Sequence, residues 1–374
     1  MLNIEKFLKT HWQKSACYIP KGYKGSLDFL TADQLAGLAL ENDIESRIIS
    51  GSVESQNWDL LHGPFERSNF NNLNESEWTL LIQSIDSWEP ITKELAKAFN
   101  FIPNWRFDDL MVSYAADNGG VGPHVDNYDV FLVQAEGSRR WRVGKMGDIP
   151  KKVETECNLP QVSLFEPVID IVMHPGDILY IPPNTAHWGV SIGESMGYSV
   201  GYRSPQVDLL LVSLAEAISH DYRLNPFFTD PYRHESNESA QIEDELISWA
   251  QTQLQTLAEN PRLIQSILAK QLSLSKLGIV QLSNNVSVDE LDAESIVTLN
   301  PELKANWYKR ESHLTLCIEG ESWKFDHKSQ LAIQKLASYE RIPIKLFNFS
   351  SDLVDFPDSF TNLINTGYIN LHKS

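Results

Sequence analysis

Apolar positions fall into distinct regimes along the chain. Residues 1 to about 105 read as mixed structure, with roughly helical spacing at Leu2, Phe7, Leu8 and Trp12, then at Leu30, Leu35, Leu38 and Leu40 around 31–39. Residues 76–85 and 91–99 are read as further helices. From about 106 to 205 the pattern changes to short apolar runs broken by Gly and Pro. Residues 109–114, 129–134, 139–143, 168–173, 178–181 and 196–202 read as strands, rich in β-branched and aromatic side chains. Gly137 is expected to end one strand, and His174-Pro175-Gly176-Asp177 to form a turn. Short strands parted by turn residues predict an all-β barrel or double-sheet jelly roll.

Helical spacing returns at 207–218, at Ile242, Leu246, Trp249, Ala250, Leu254 and Leu257, and after Asn260-Pro261, an N-cap followed by Pro at the first helical position. The polar stretch 234–239 should break these helices. Such apolar faces need a partner, either the barrel or a second copy of the chain, and a homodimerisation module is the favoured expectation. The tail alternates through 313–318 and 322–325 around Glu319-Gly320-Glu321, a β-hairpin, followed by a helix at 329–338. A helix with a hairpin fits a winged-helix-like module. The expected organisation is therefore 1–205 for a first domain with its β core at about 106–205, 206–272 for the helices, and 273–374 for the tail.

Composition alters this picture little. A chain of 374 residues with 42% hydrophobic and 22% charged content is ordinary for folded proteins, and long enough for two or three domains. No apolar run approaches the roughly 18 residues that span a bilayer. The first residues lack a basic region followed by a long apolar stretch, so a cytoplasmic location is expected. Cys17, Cys157 and Cys317 are odd in number and far apart, which suggests reduced thiols. The net charge of −19 argues against direct nucleic-acid binding, which needs concentrated Lys and Arg. Acidic side chains also outnumber basic ones in the tail, which removes the positive face of a DNA-binding winged helix. Acidity suits a basic protein partner, or simply keeps the chain soluble.

The candidate chemistry lies in Gly119-Gly120-Val121-Gly122-Pro123-His124-Val125-Asp126. His124 and Asp126 stand two apart on an extended segment, so both side chains point the same way and can grip one metal ion. Most His-x-Asp pairs are only surface polar residues. Here a glycine lead-in demands a close backbone approach or a sharp bend. A third ligand must come from elsewhere. His187, in the Pro-rich turn after the strand at 178–181, is the best candidate, while His174 is read as structural. Two His and one carboxylate on one face of iron(II) leave three positions open, as in the non-haem oxygenases. Arg139, two residues past Gly137, is the other candidate. An arginine inside a small barrel is costly unless it meets an anion, and a dicarboxylate would supply one. Strand alternation turns Arg140 and Arg142 outward. Asp117 and Asp129 are acids that could receive a basic substrate group.

The set His124-x-Asp126, Gly137, Arg139 and His187 resembles the JmjC-type oxygenases, which depend on iron(II) and 2-oxoglutarate. More closely, Asp108-Asp109-Leu110-Met111-Val112-Ser113, residues 119–131 and Arg139-Arg140-Trp141-Arg142-Val143-Gly144 are similar to the bacterial ribosomal oxygenases. Those enzymes hydroxylate an arginine of the large-subunit ribosomal protein uL16 at its β carbon. The order of helical and winged-helix-like parts is similar too. The resemblance implies a double-stranded β-helix of cupin type with iron on His124, Asp126 and His187. It also implies Arg139 on the distal carboxylate of 2-oxoglutarate, Ser113 hydrogen-bonded to that co-substrate, O2 as oxidant, and uL16 as a basic protein partner. From the residues alone, Ser113 shares a strand face with Met111, and its hydroxyl is as readily satisfied by backbone. Two alternatives stay open: the same scaffold acting on another protein, including lysine demethylation, and a non-catalytic cupin-like metal-binding scaffold.

Overall fold

The computed structural model describes residues 3–55, 57–233, 240–275, 286–287, 292, 294–348 and 356–372. It divides into two units, Met1–Ser204 and Pro205–Ser374. In the first, twelve strands join in one hydrogen-bonded system: β1 (Cys17–Ile19), β2 (Ser46–Ser50), β3 (Asp59–His62), β4 (Trp78–Ile82), β5 (Phe107–Ala115), β6 (His124–Asp126), β7 (Asp129–Val143), β8 (Lys152–Val153), β9 (Gln161–Val162), β10 (Ile169–Met173), β11 (Ile178–Ile181) and β12 (Thr185–Tyr202). The main path runs β1-β11-β7-β12-β5-β4-β2-β3, with β10 beside β7 and β6 beside β12.

The two long strands tie the system together because each changes partners midway. Residues 129–134 of β7 pair with β11 along 130–133 and with the C-terminal half of β12. Residues 139–143 pair with β10 and with the N-terminal half of β12, where Arg139 faces Ser191. The register slips between these halves, at Ile192–Met196. Gly137 therefore does not end the strand, as its sequence position suggests. It bends the strand at φ +61°, and a Cβ there would lie 2.0 Å from the Glu194 carbonyl oxygen. Only glycine takes that conformation so close to another backbone. The result is the double-stranded β-helix of jelly-roll type expected from the strand pattern.

The first half of β7 is buried on both faces. Phe131, Val133 and Ala135 enter a core with Phe7, Leu110, Val112, Tyr180 and Tyr198. Val130 and Leu132 enter another, with Trp141, Val143, Met173, Leu179 and Ile181. That two-sided burial explains the uninterrupted run Val130-Phe131-Leu132-Val133, since neither face needs polar side chains. Fully burying each such side chain contributes about 1.5–3 kcal/mol.

The helix read at 76–85 is corrected. Residues 78–82 form β4, and the only helix there is the short Ile85–Trp88. A five-residue apolar run has no decisive period, and tertiary pairing to β2 and β5 makes it a strand. The helix around 31–39 is present as Ala32–Leu38, started by a capping box between Thr31 and Gln34.

The second unit holds helices Val207–Ser219, Asp244–Ala258 and Pro261–Gln271. The Asn260 side chain accepts a hydrogen bond from the Leu263 amide at 3.0 Å, so the expected cap forms. The stretch 234–239 lies outside the described residues. Six further strands follow: β13 (Ile296–Leu299), β14 (Ala305–Lys309), β15 (Leu314–Ile318), β16 (Glu321–Phe325), β17 (Ile342–Pro343) and β18 (Ile369–His372). The β15–β16 hairpin turns on Glu319 and Gly320, both at positive φ, as a two-residue turn of its twist requires. Helix Gln330–Ala337 packs Ile333 and Leu336 into the core of Leu314, Leu316, Phe325 and Leu363. The boundary expected near 272 falls inside this unit. There the Gly320 amide donates to the Ser273 hydroxyl at 3.0 Å, and Arg310 donates to the Arg262 carbonyl at 2.8 Å.

Candidate metal centre and anion pocket

The residues singled out from sequence converge in the first unit. His124 and Asp126 are the ends of the three-residue β6, and His187 stands directly opposite His124 on β12. His187 is thus a strand residue; the Pro-rich turn ends before it, at Asn184. One ligand atom from each of the three lies within 4.8 Å of the others. His187 Nε2 is 3.5 Å and His124 Nε2 3.9 Å from Asp126 Oδ2, and the two imidazole centroids are 4.1 Å apart.

The hydrogen bonds around the rings suit metal binding. His124 Nδ1 lies 3.0 Å from the Gly122 carbonyl and His187 Nδ1 2.9 Å from the Thr185 carbonyl. A carbonyl only accepts, so each Nδ1 must carry the proton, which leaves each Nε2 with a free lone pair facing Asp126. Burial, then the neighbouring His124, pushes the His187 pKa down to about 4. His187 is accordingly neutral at physiological pH, the form that ligates metals. The Tyr128 hydroxyl bonds to Asp126, and burial with that neighbouring carboxylate raises the tyrosine pKa and keeps it a donor. Sequence reading passed over Tyr128, although it stands only two residues past Asp126.

A cleft of about 1160 Å³, mouth included, opens beside the three ligands and reaches Arg139. Ile49, Leu81, Val121, Leu159 and Trp141 give it apolar walls. Gly120 also lines it, where the glycine-rich lead-in passes against β12. A Cβ at Gly120 would lie 2.4 Å from the Gly189 carbonyl oxygen.

Arg139 is 8% exposed and points inward, as strand alternation requires. Nη1 donates to Ser113 Oγ at 3.0 Å, and Nη2 donates to Ser195 Oγ at 3.1 Å. Ser113 also donates to the Gly197 carbonyl at 3.3 Å, so its hydroxyl meets both the arginine and backbone. The Ser191 hydroxyl donates to the Gly193 carbonyl at 2.6 Å and lies 2.7 Å from Ser195 Oγ, completing a hydroxyl collar that no local motif announces. Among the described residues no carboxylate offsets the guanidinium charge, and burial alone pushes its pKa down to about 10. A cation held this way, still charged at neutral pH, leaves room for an anion to complete it.

The remaining candidates lie elsewhere. Arg140 points outward and forks onto Asp170, with both bonds at 2.7 Å. Arg142 stacks 4.5 Å over Trp188. His174 Nδ1 lies 2.9 Å from the Ser138 hydroxyl, and the His174 amide donates to Asp177. Asp129 is bound by Tyr180 at 2.6 Å and Gln13 at 2.8 Å, and Asp117 accepts from the Gly193 amide at 2.7 Å. Both acids serve the fold rather than the cleft.

The two histidines and the aspartate therefore fit one divalent metal ion bound from one side, and Arg139 fits an acid group in the same cleft. A family model described as the JmjC domain matches residues 94–210. The Escherichia coli ribosomal protein uL16 3-hydroxylase is 40% identical over 233 residues, covering 62% of this chain and 60% of that protein. A probable ribosomal oxygenase of Haemophilus influenzae is 36% identical over 227 residues, covering 60% of this chain and 56% of that protein. These matched segments span less than two thirds of either relative. Similarity in three dimensions extends further. The structure of YcfD, a ribosomal oxygenase from Escherichia coli, in complex with cobalt and 2-oxoglutarate aligns with a TM-score of 0.84 and 30% identity, over 100% of this chain and 99% of that one. With a JmjC family model over residues 94–210 and three-dimensional similarity over the whole chain at 30% identity, the chain belongs to the JmjC-domain ribosomal oxygenases.

Proposed function

We propose that the protein is an iron(II)- and 2-oxoglutarate-dependent hydroxylase of the β carbon of an arginine in ribosomal protein uL16. The observation that carries this reading is the pairing, in one cleft, of three convergent metal ligands with a buried arginine lacking a carboxylate partner. The E. coli relative is a uL16 3-hydroxylase, and YcfD holds cobalt, a divalent metal, together with 2-oxoglutarate.

His124, Asp126 and His187 would hold the metal, with positions to spare for co-substrate and oxygen. Arg139 would receive the distal carboxylate, with Ser113 beside it. The apolar walls exclude water from the reacting centre. When bound, iron supplies the oxidising chemistry, in which O2 and 2-oxoglutarate are converted to succinate and CO2 and one oxygen atom enters a substrate C–H bond. The net charge of −19 suits a basic ribosomal protein as partner.

Helices Val207–Ser219 and Asp244–Ala258 expose Val207, Leu211, Val212, Ile247 and Leu254, apolar side chains suited to contact with a second copy of the chain. A three-part organisation at 1–205, 206–272 and 273–374 is retained, with a winged-helix-like tail. No described helix is long and apolar enough to cross a membrane. A ribosomal protein as substrate is the reason to propose a cytoplasmic location.

The test is incubation with iron(II), 2-oxoglutarate and purified ribosomal proteins, followed by mass spectrometry. Gain of one oxygen atom on an arginine of uL16 is the expected result. Loss of a methyl group from a lysine would establish demethylation instead. Absence of succinate release with every ribosomal protein would leave the metal-binding scaffold as the better reading.

A further inference from the structure

Among the described residues that line the cleft, two buried hydroxyls have no partner, those of Thr79 and Tyr198. Tyr198 packs its ring into the core beside Phe29, which leaves Thr79 as the candidate of the cleft face. Thr79 lines the cleft and is 2% exposed, yet its Oγ1 has no hydrogen-bond partner among the described residues. Leaving a buried hydroxyl unpaired costs about 1–3 kcal/mol. Thr79 faces Ile49 on β2 and Ala115 on β5, neither of which carries a polar side-chain atom to meet the hydroxyl.

Register shows what the hydroxyl stands beside. Ala115 faces Thr79 on one side and Ser195 on the other, so Ser195, Ala115 and Thr79 form one row across β12, β5 and β4. Gly197, Ser113 and Leu81 form the next row on the same face. Arg139 donates to Ser195 in the first row and to Ser113 in the second. Thr79 is the diagonal neighbour of Ser113, at a typical separation of about 7–8 Å. Ala115, whose side chain is a single methyl group, stands between Ser195 and Thr79 in the first row. A guanidinium and three hydroxyls thus border one small patch, and one of those hydroxyls is unspent.

We propose that Thr79 is a specificity-determining residue for the diacid co-substrate, donating a hydrogen bond to the carboxylate that Arg139 holds and so fixing the length of diacid accepted. This rests on the 2-oxoglutarate-dependent reading above. Arg139 supplies charge, which any carboxylate would satisfy. The threonine hydroxyl adds a fixed point on the far wall, and a diacid one methylene longer cannot meet both without bending.

The experiment is calorimetric titration of the full chain, loaded with manganese(II) and kept free of oxygen, with 2-oxoglutarate and with 2-oxoadipate. Thr79→Val keeps the shape and removes the hydroxyl, Thr79→Ala removes it with a smaller side chain, and Thr79→Ser retains it. Both hydroxyl-free variants should lose roughly tenfold in 2-oxoglutarate affinity, as expected for a hydrogen bond to a charged group. They should also lose part of the preference over 2-oxoadipate, whereas Thr79→Ser stays close to wild type. Wild-type affinity in Thr79→Val, or an equal loss in Thr79→Ser, overturns the assignment. If Thr79→Val binds normally while Arg139→Ala is impaired, only this inference fails. If the unaltered protein binds no 2-oxoglutarate, the functional reading fails with it.

Discussion

At the metal end of the cleft each histidine is oriented by a carbonyl two residues before it, Gly122 for His124 and Thr185 for His187. At the other end Arg139 is oriented by hydroxyls 26 and 56 residues away in the chain. The metal end is partly open, with His124 and Asp126 side chains 20% and 22% exposed, while Arg139 is buried. The difference follows from what each end binds. A metal site needs a few lone pairs at the right angles, and a short strand with its own backbone can set those. A buried charge needs donors and acceptors on every side, and these can come only from several strands in register.

The contrast can be broken most severely at Asp126. Asp126→Ala removes the only anionic ligand, so metal binding and iron-dependent turnover should both vanish while the fold survives. Full turnover by that variant would undo the metal end altogether. Next comes Arg139→Ala, which should weaken 2-oxoglutarate binding by about 2–5 kcal/mol, the scale of a broken buried charge pair. Manganese affinity should not change, and a parallel loss of both would mean that the two ends are not separable. Tyr128→Phe should be milder. It frees Asp126 from its phenol partner and should lower metal affinity by roughly tenfold. Diacid affinity in the metal-saturated protein should hold, as calorimetry at saturating metal would report. The smallest effect belongs to Arg140→Ala. Arg140 lies on the outer face with Asp170, so diacid affinity and turnover should match wild type. A loss there comparable to that of Arg139→Ala would reverse the assigned strand parity.

Much of the metal end was legible before any coordinates. A His-x-Asp pair after glycines needs only the two-residue period of a strand to become two convergent ligands. Arg139 was legible for the same reason, since alternation sends it inward and Arg140 outward. Other features were less so. Residues 76–85 read as helix because their apolar run is too short to reveal a period, and only pairing on both sides makes β4 a strand. That error also hid Thr79, whose place in the cleft depends on being a strand residue. Gly137 looked like a terminator because a positive-φ glycine ends a strand or bends it with equal ease in isolation. Ser195, in Gly193-Glu194-Ser195, carried no signal, because its meeting with Arg139 follows from the register slip in β12.

The sequence by itself determined the two-residue spacing that aims His124 and Asp126 together, the inward turn of Arg139, and the β-rich middle followed by helices. These are properties of backbone periodicity and side-chain polarity, which act over a few residues. Tertiary structure decided that His187 stands across from His124, that Ser113 and Ser195 close on Arg139, and that Thr79 is left with a hydroxyl to spend. The physical reason is that pairing register between distant strands is set by the packing of two cores and a bend at Gly137. No single stretch of chain contains that information.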